Sequence, residues 1–312
     1  MSGIGRMGGQ GKPSVSVSGG LAAAVAGIAQ SDGDFQTPIA GLSVHRRSAI
    51  TEPMPCIYGL GLGLVVQGGK QVMLGDEAFH FAPGHSLLTT VDLPVVAHVS
   101  GATAAQPFLG LLLTLAPHAV LEVAQEMGLP QPPRHHAYRP ISLEPLDAAL
   151  LDALTRLVRL IAEPGLISAL APLIEREITI RLLAGPHGPH LLHVVAAGSP
   201  SQQIAKVMSW LKLNFQRTLR MDALATGAHM SPSTFRQRFR EIAGMSPLQY
   251  QKQLRLQEAR QLMLNENLDA NVAGGRVGYE SVSQFNREYS RLFGAPPQRD
   301  IRRMRLSQTS TQ

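Results

Sequence analysis

Hydrophobic and polar positions alternate in two different rhythms along this chain. From Thr37 to about Pro117 apolar residues come in short runs broken by turn residues. Leu60–Val66, Gln71–Leu74, Ala78–Phe81, Leu87–Thr90, Val95–Val99 and Leu109–Leu115 are each the length of a strand. Gly75-Asp76 and Pro83-Gly84 separate them as turns, and Gln67–Lys70 offers a two-residue hairpin turn. Closely spaced strands of this kind predict a sandwich or barrel. The rhythm then becomes helical. Pro145 is placed to open a helix, and Leu146, Leu150, Leu154, Leu157 and Ile161 form its apolar stripe. Pro164-Gly165 ends it, and Leu166–Leu183 predicts a second helix. Ile204, Val207, Leu211 and Phe215 line the inner face of a third, at Gln202–Phe215. Gln131–Pro140 is a loop by composition.

The last third carries one pattern twice, fifty positions apart. Ser231, Phe235, Phe239, Gly244 and Pro247 correspond to Ser281, Phe285, Tyr289, Gly294 and Pro297. Ser231 and Ser281 are N-cap candidates, and Pro232 suits a first helical position. Phe235, Phe239 and Ile242 fall on one stripe, as do Phe285, Tyr289 and Leu292. Gly244 and Gly294 stand where a helix end needs positive φ. A short segment precedes each helix, with His229 and Gly278 at equivalent turn positions. Short helix, turn and second helix make a helix-turn-helix, and Tyr250–Leu264 is the helix joining the two units. Gln298–Leu306 adds a basic helix.

Charge sharpens this picture. The 312 residues carry a net charge of +6, unevenly divided. From Pro200 onward there are 17 Lys and Arg against 8 Asp and Glu; before it there are 11 against 14. A basic half with clustered arginines is the footprint of a phosphate-binding surface. The single cysteine, Cys56, excludes an internal disulfide and suits a reducing compartment. No uninterrupted apolar run approaches a membrane span, since Pro117-His118 interrupts the nearest, Phe108–Ala124. Residues 1–20 and the last six have disorder-like composition. Leu21–Ala29 reads as a short helix packed on the following domain rather than a secretory core.

The segments Met230–Arg240, Gly244–Tyr250, Arg255–Met263 and Val277–Tyr289, ending at Phe293–Pro297, resemble the DNA-binding domain of the AraC/XylS transcription regulators. Thr37–Leu42, Val66–Lys70, Gly75-Asp76 through Pro83–His85, and Val91–Val96 resemble the AraC-type N-terminal sensor domain, which is cupin-like. The resemblance implies a multidomain chain: an all-β cupin-like barrel with a helical dimerisation segment, then an all-α domain with two helix-turn-helix units. The expected bounds are 21–130 for the sensor, 140–198 for the helical region and linker, and 200–306 for the DNA-binding domain. It implies a cytoplasmic homodimer that binds double-stranded DNA, recruits RNA polymerase, and answers to a small-molecule effector of unknown identity. No membrane partner and no cofactor are implied. Gly274-Gly275 departs from the family, which has alanine and a larger apolar residue there, and predicts a weaker second unit.

Residues matching the family's base-contacting positions are Ser233, Arg236 and Gln237 in the first unit and Ser283, Gln284 and Arg287 in the second. Arginine reads guanine bidentately and glutamine reads adenine. Thr234, Arg240, Asn286 and Arg291 are expected on phosphates, which position without reading sequence. Inward-facing candidates for an effector pocket are Tyr58, Leu62, Leu64, Val66, Met73, Phe79, Phe81 and Leu88. Periodicity does not separate a filled barrel from a hollow one, nor a dimer-forming helical pair from one packed on its own barrel.

Three rival chemistries compete with this reading. Cys56 is a candidate thiol sensor for electrophiles or oxidants, but Pro55 and Ile57 flank it and no basic neighbour lowers its pKa. His187, His190 and His193 invite a zinc site, yet prolines and glycines among them give no fixed face and no Cys or acid joins them. His80, His85 and His98 lack the H-x-H spacing of metal-bearing cupins, which leaves a metal-dependent cupin enzyme as a remote alternative. No catalytic motif is present, and a regulator that binds DNA constitutively remains the nearer competitor.

Overall fold

The computed structural model describes residues 19–130, 138–196 and 198–309. Ten strands build two antiparallel sheets. In chain order they are β1 (Gly33–Gln36), β2 (Leu42–Arg47), β3 (Met54–Tyr58), β4 (Gly61–Gln67), β5 (Gly69–Leu74), β6 (Glu77–Phe81), β7 (His85–Thr89), β8 (Leu93–Gly101), β9 (Phe108–Thr114) and β10 (Ile141–Pro145). One sheet has the order β1-β2-β9-β4-β7-β10, and the other β3-β8-β5-β6.

The predicted hairpin at Gln67–Lys70 does not form. β4 and β5 lie in different sheets, and the chain changes sheet at Gly68. Gly68 has φ +83°, and a Cβ there would sit 2.3 Å from the Gly101 carbonyl oxygen. Only glycine passes through that corner. Gly75, in contrast, turns a true hairpin between β5 and β6. β10 was missed. Pro145 ends that edge strand instead of opening a helix, and the helix begins after Asp147, whose carboxylate accepts from the Ala149 and Leu150 amides.

Five helices accompany the sheets: α1 (Gly19–Ile28), α2 (Pro117–Glu126), α3 (Ala148–Arg159), α4 (Ile167–Ala184) and α5 (Gly188–Val195). Gly19 and Gly20 open α1, so helix begins inside the stretch expected to be disordered; residues 1–18 lie outside the described residues, as do 131–137 of the predicted loop. Leu21 and Val25 of α1 pack with Leu150 and Leu154 of α3 against Leu62, Leu64 and Leu88 of the six-stranded sheet. That sheet is therefore covered on both faces, by helices outside and by the second sheet inside. The histidine-bearing segment at 187–193, expected to be irregular, forms α5. Its proline sits in the first turn, where the missing N–H costs nothing.

Seven helices follow: α6 (Pro200–Leu213), α7 (Met221–Gly227), α8 (Pro232–Ala243), α9 (Pro247–Asn265), α10 (Ala270–Arg276), α11 (Val282–Phe293) and α12 (Pro297–Thr309). α12 runs past Leu306, into the tail expected to be disordered; residues 310–312 lie outside the described residues. The helical half sits on the edge where β8 begins. Asp92 accepts from Lys212 Nζ at 2.6 Å through its carboxylate and from the Tyr250 hydroxyl at 2.9 Å through its carbonyl. Among the described residues no single helix is long and apolar enough to cross a membrane.

Candidate nucleic-acid interface

Two helix-turn-helix units are built the same way. α7 turns into α8 at His229, with φ +53°, and α10 turns into α11 at Gly278, with φ +91°. Ser231 Oγ accepts from the Thr234 amide and Ser281 Oγ from the Gln284 amide, each at 3.3 Å, so both second helices start on a serine cap. Both end on a left-handed glycine, Gly244 and Gly294. Phe235 and Phe239 bury completely, Phe235 against Phe239 and Phe239 against Tyr250, and Phe285 and Tyr289 bury completely against Tyr279 and Phe293. These aromatic cores fix the rotation of α8 and α11 and so decide which face meets solvent.

α9 connects the units. Ser246 and Gln249 close a reciprocal cap at its start, and its 19 residues span roughly 28 Å at the helical rise. That length is comparable to one turn of duplex DNA, about 34 Å. Arg255 on α9 braces the second turn. Its guanidinium donates to the Phe215 carbonyl at 2.7 Å, the Gly278 carbonyl at 2.9 Å and the Gln216 carbonyl at 3.0 Å. Nothing in the sequence distinguished this structural arginine from a phosphate-binding one.

The outward faces carry the candidates. Ser233, Thr234, Arg236, Gln237 and Arg240 are exposed on α8, and Ser283, Arg287 and Arg291 are exposed on α11; Gln284 and Asn286 are half-buried. Arg238 pairs with Glu241, and Arg276 with Glu266. Among the described residues no carboxylate pairs with Arg236, Arg240, Arg287 or Arg291. Four guanidiniums are thus left free for an anionic partner. The two glutamines are held differently. Gln237 donates to the exposed Glu241 at 3.0 Å. Gln284 donates at 3.2 Å to Glu288, which also accepts from Lys252 and Tyr279. Burial works to raise the Glu288 carboxyl's pKa, but these three donors outweigh it and lower it. Gln284 is therefore tied into a charged network that the spacing did not foretell.

Gly274 has a packing reason. A Cβ there would lie 3.0 Å from the Phe285 ring, whereas one on Gly275 would meet open space. The departure from alanine at 274 lets α10 lie directly on the aromatic core of α11.

The effector candidates scatter. A partly enclosed cavity of about 100 Å³ lies between the two sheets. Tyr58, Leu64 and Phe81 line it. Leu62, Val66 and Leu88 instead belong to the helix-covered face, with Leu64 shared between the two. Met73 and Phe79 are half-buried and do not line the cavity. Lys70, His45 and Thr89, which an apolar criterion passes over, do line it. Cys56 is half-buried and does not line it, and burial pushes its thiol up to about 11, with Lys70 only partly opposing. Such a thiol is almost wholly protonated at neutral pH, the reverse of what a reactive sensor needs. His187, which precedes α5, and His190 and His193 on it are all buried. His187 bridges Ser86 at 2.9 Å and Ser142 at 3.1 Å. Among the described residues no group of three His, Cys, Asp or Glu is placed to hold a metal ion.

Residues 38–190 match the family described as AraC-type transcriptional regulator N-terminus, and residues 224–303 match a helix-turn-helix domain. Over 77 residues the chain is 42% identical to the RCS-specific HTH-type transcriptional activator RclR of Escherichia coli (strain K12), a stretch that makes up 25% of this chain and 27% of RclR. Over 130 residues it is 25% identical to the HTH-type transcriptional regulator ExsA of Pseudomonas aeruginosa, covering 42% of this chain and 46% of ExsA. The chain thus spans a quarter to a half of the length of these curated relatives. Its fold is similar to that of ToxT from Vibrio cholerae in a crystal structure with bound unsaturated fatty acid. The TM-score is 0.57 at 9% identity, over 87% of this chain and 96% of ToxT, a likeness of fold.

Proposed function

Because the chain belongs to the AraC-type transcriptional regulators, we propose that it is a sequence-specific DNA-binding regulator, an activator rather than an enzyme. The observation that carries this is the pair of serine-capped, aromatic-anchored helices, each presenting arginines that no carboxylate among the described residues neutralises. α8 and α11 lay their first turns in successive stretches of major groove, with α9 as the rigid spacer. Ser233, Arg236, Gln237, Ser283 and Arg287 face base edges. Gln284 joins them only by giving up its bond to Glu288. Thr234, Arg240, Asn286 and Arg291 hold phosphates.

The remaining parts follow the same reading. Leu166, Leu170, Leu173 and Ile180 form an exposed apolar stripe on and beside α4 and support a homodimer formed there. The cavity between the sheets supports a small-molecule effector. Asp92 joins that domain to α6 and α9 through Lys212 and Tyr250, which gives an effector a short route to the DNA-binding half. The regulator works in the cytoplasm and recruits RNA polymerase.

The test is the affinity of the purified chain for duplexes flanking its own gene against scrambled duplexes of equal length, at near-physiological salt. A specific site is expected to bind at least about a thousandfold tighter. Equal affinity for both would contradict sequence-specific regulation.

A further inference from the structure

The cavity between the sheets contains a cation with no ion-pairing anion among the described residues. Lys70 lines it, with its ammonium 5.3 Å from the centre of the Tyr58 ring and 5.9 Å from that of Phe108. Among the described residues no carboxylate forms an ion pair with Lys70, and Asp34 acts on it only from further off. Asp34 is already bound by His45 at 2.7 Å and Arg47 at 2.8 Å. The Tyr58 hydroxyl is buried in the same place, close enough to Lys70 for the two to act on each other, and has no other hydrogen-bond partner among the described residues. A buried ammonium facing only a phenol, with no anion to neutralise it, is costly, and native proteins rarely keep one without a use.

We propose that this cavity binds a small monocarboxylate, whose carboxylate group meets the Lys70 ammonium and accepts the Tyr58 hydroxyl proton while its short apolar body lies against Phe81, Leu87 and Phe108. The inference rests on reading this domain as the sensor, and it narrows the effector to an acid.

Charge and size both restrict the ligand. One ammonium matches one negative charge, whereas a phosphate dianion would leave a second charge among apolar walls. An engineered cavity of about 150 Å³ accepts benzene. At about 100 Å³ this one takes roughly half a dozen non-hydrogen atoms, and a long acyl chain does not fit. Burial raises the Tyr58 phenol's pKa and keeps it a neutral donor.

The experiment is calorimetric titration of the full chain with butyrate and with butyramide, an uncharged probe of the same size. Butyrate is expected to bind, and butyramide at least tenfold more weakly. Lys70→Met is expected to weaken butyrate binding tenfold or more, with a Tm in the absence of acid no lower than the parent's, because the unneutralised charge is gone. Tyr58→Phe weakens binding several-fold. Equal binding of the two probes to the unmodified chain overturns the proposal with no variant needed. So does undiminished butyrate binding by Lys70→Met, or a fall in its ligand-free Tm that marks Lys70 as structural. Failure of every straight-chain acid from acetate to pentanoate to bind at tens of millimolar also overturns it, whatever the chain does on DNA. Acid binding with unchanged affinity for DNA supports the site and counts against the sensor reading instead.

Discussion

Arg260 and Asp300 form a two-point ion pair sealed inside the C-terminal half, with Nε to Oδ2 at 2.8 Å and Nη2 to Oδ1 at 3.0 Å. Asp300 is fully buried and also accepts from the Tyr289 hydroxyl at 2.8 Å. The guanidinium lies over the Phe293 ring, 4.4 Å from its centre. One carboxylate thus joins the connecting helix α9, the second recognition helix α11 and the terminal helix α12. Removing one partner of a buried pair leaves an uncompensated charge and costs about 3–5 kcal/mol. Asp300→Asn is expected to lower stability by that order in urea denaturation. It should also disturb the second unit before the first, visible as earlier loss of amide protection in α11 than in α8.

The two adjacent glycines should respond oppositely to alanine. Gly275→Ala meets open space and is expected to stabilise the chain by about 0.4–1 kcal/mol through helix propensity and chain entropy. Gly274→Ala pushes a methyl into Phe285, which Tyr279 and Tyr289 hold in place. Overpacking of about 1–3 kcal/mol exceeds the propensity gain. Thermal denaturation of both variants checks the sign of each.

Acid should loosen the first domain through His187. Burial, with His190 adding to it, pulls this imidazole from the ordinary 6.5 to about 4. Between those values the unfolded chain takes up a proton that the folded chain refuses. Stability is therefore full above about pH 6.5 and falls as pH drops toward 4. The loss across the window is roughly 3 kcal/mol. In His187→Gln, denaturation midpoints measured across this range should show a flatter profile.

Arg236 and Arg240 sit one turn apart on α8 and should differ in kind. Arg236→Ala is expected to cost about 1–3 kcal/mol on the preferred site and to relax the choice of one base. Arg240→Ala should weaken all duplexes alike and reduce the salt slope by about one. Gel-shift titrations on a preferred and a single-base-changed duplex at several salt concentrations separate the two.

Local chemistry made the helical half legible. Ser231, Ser281, Gly244, Gly294 and His229 act within a few residues of their own position, so each could be read from its neighbours. Long-range geometry hid the rest. The corner at Gly68 is set by the Gly101 carbonyl. β10 is a strand only because it pairs with β7 across a separate stretch of chain. Leu62, Val66 and Leu88 face helices because the six-stranded sheet is buried on both sides, and period-two alternation does not say which buried face encloses the cavity. Lys70 escaped because its value lies in the absence of an acid nearby, a fact of three dimensions. The tie between Gln284 and Glu288 is visible in hindsight as an i, i+4 spacing.

Selection of bound sequences from a random duplex library, with purified protein at near-physiological salt, tests the central claim that two units read DNA together. A two-part motif with centres about one helical turn apart is expected, and Arg287→Ala should erase preference in one part only. A single half-motif would contradict it by reducing the α10–α11 unit to a backbone grip, and no enrichment with any effector present would overturn sequence-specific reading altogether.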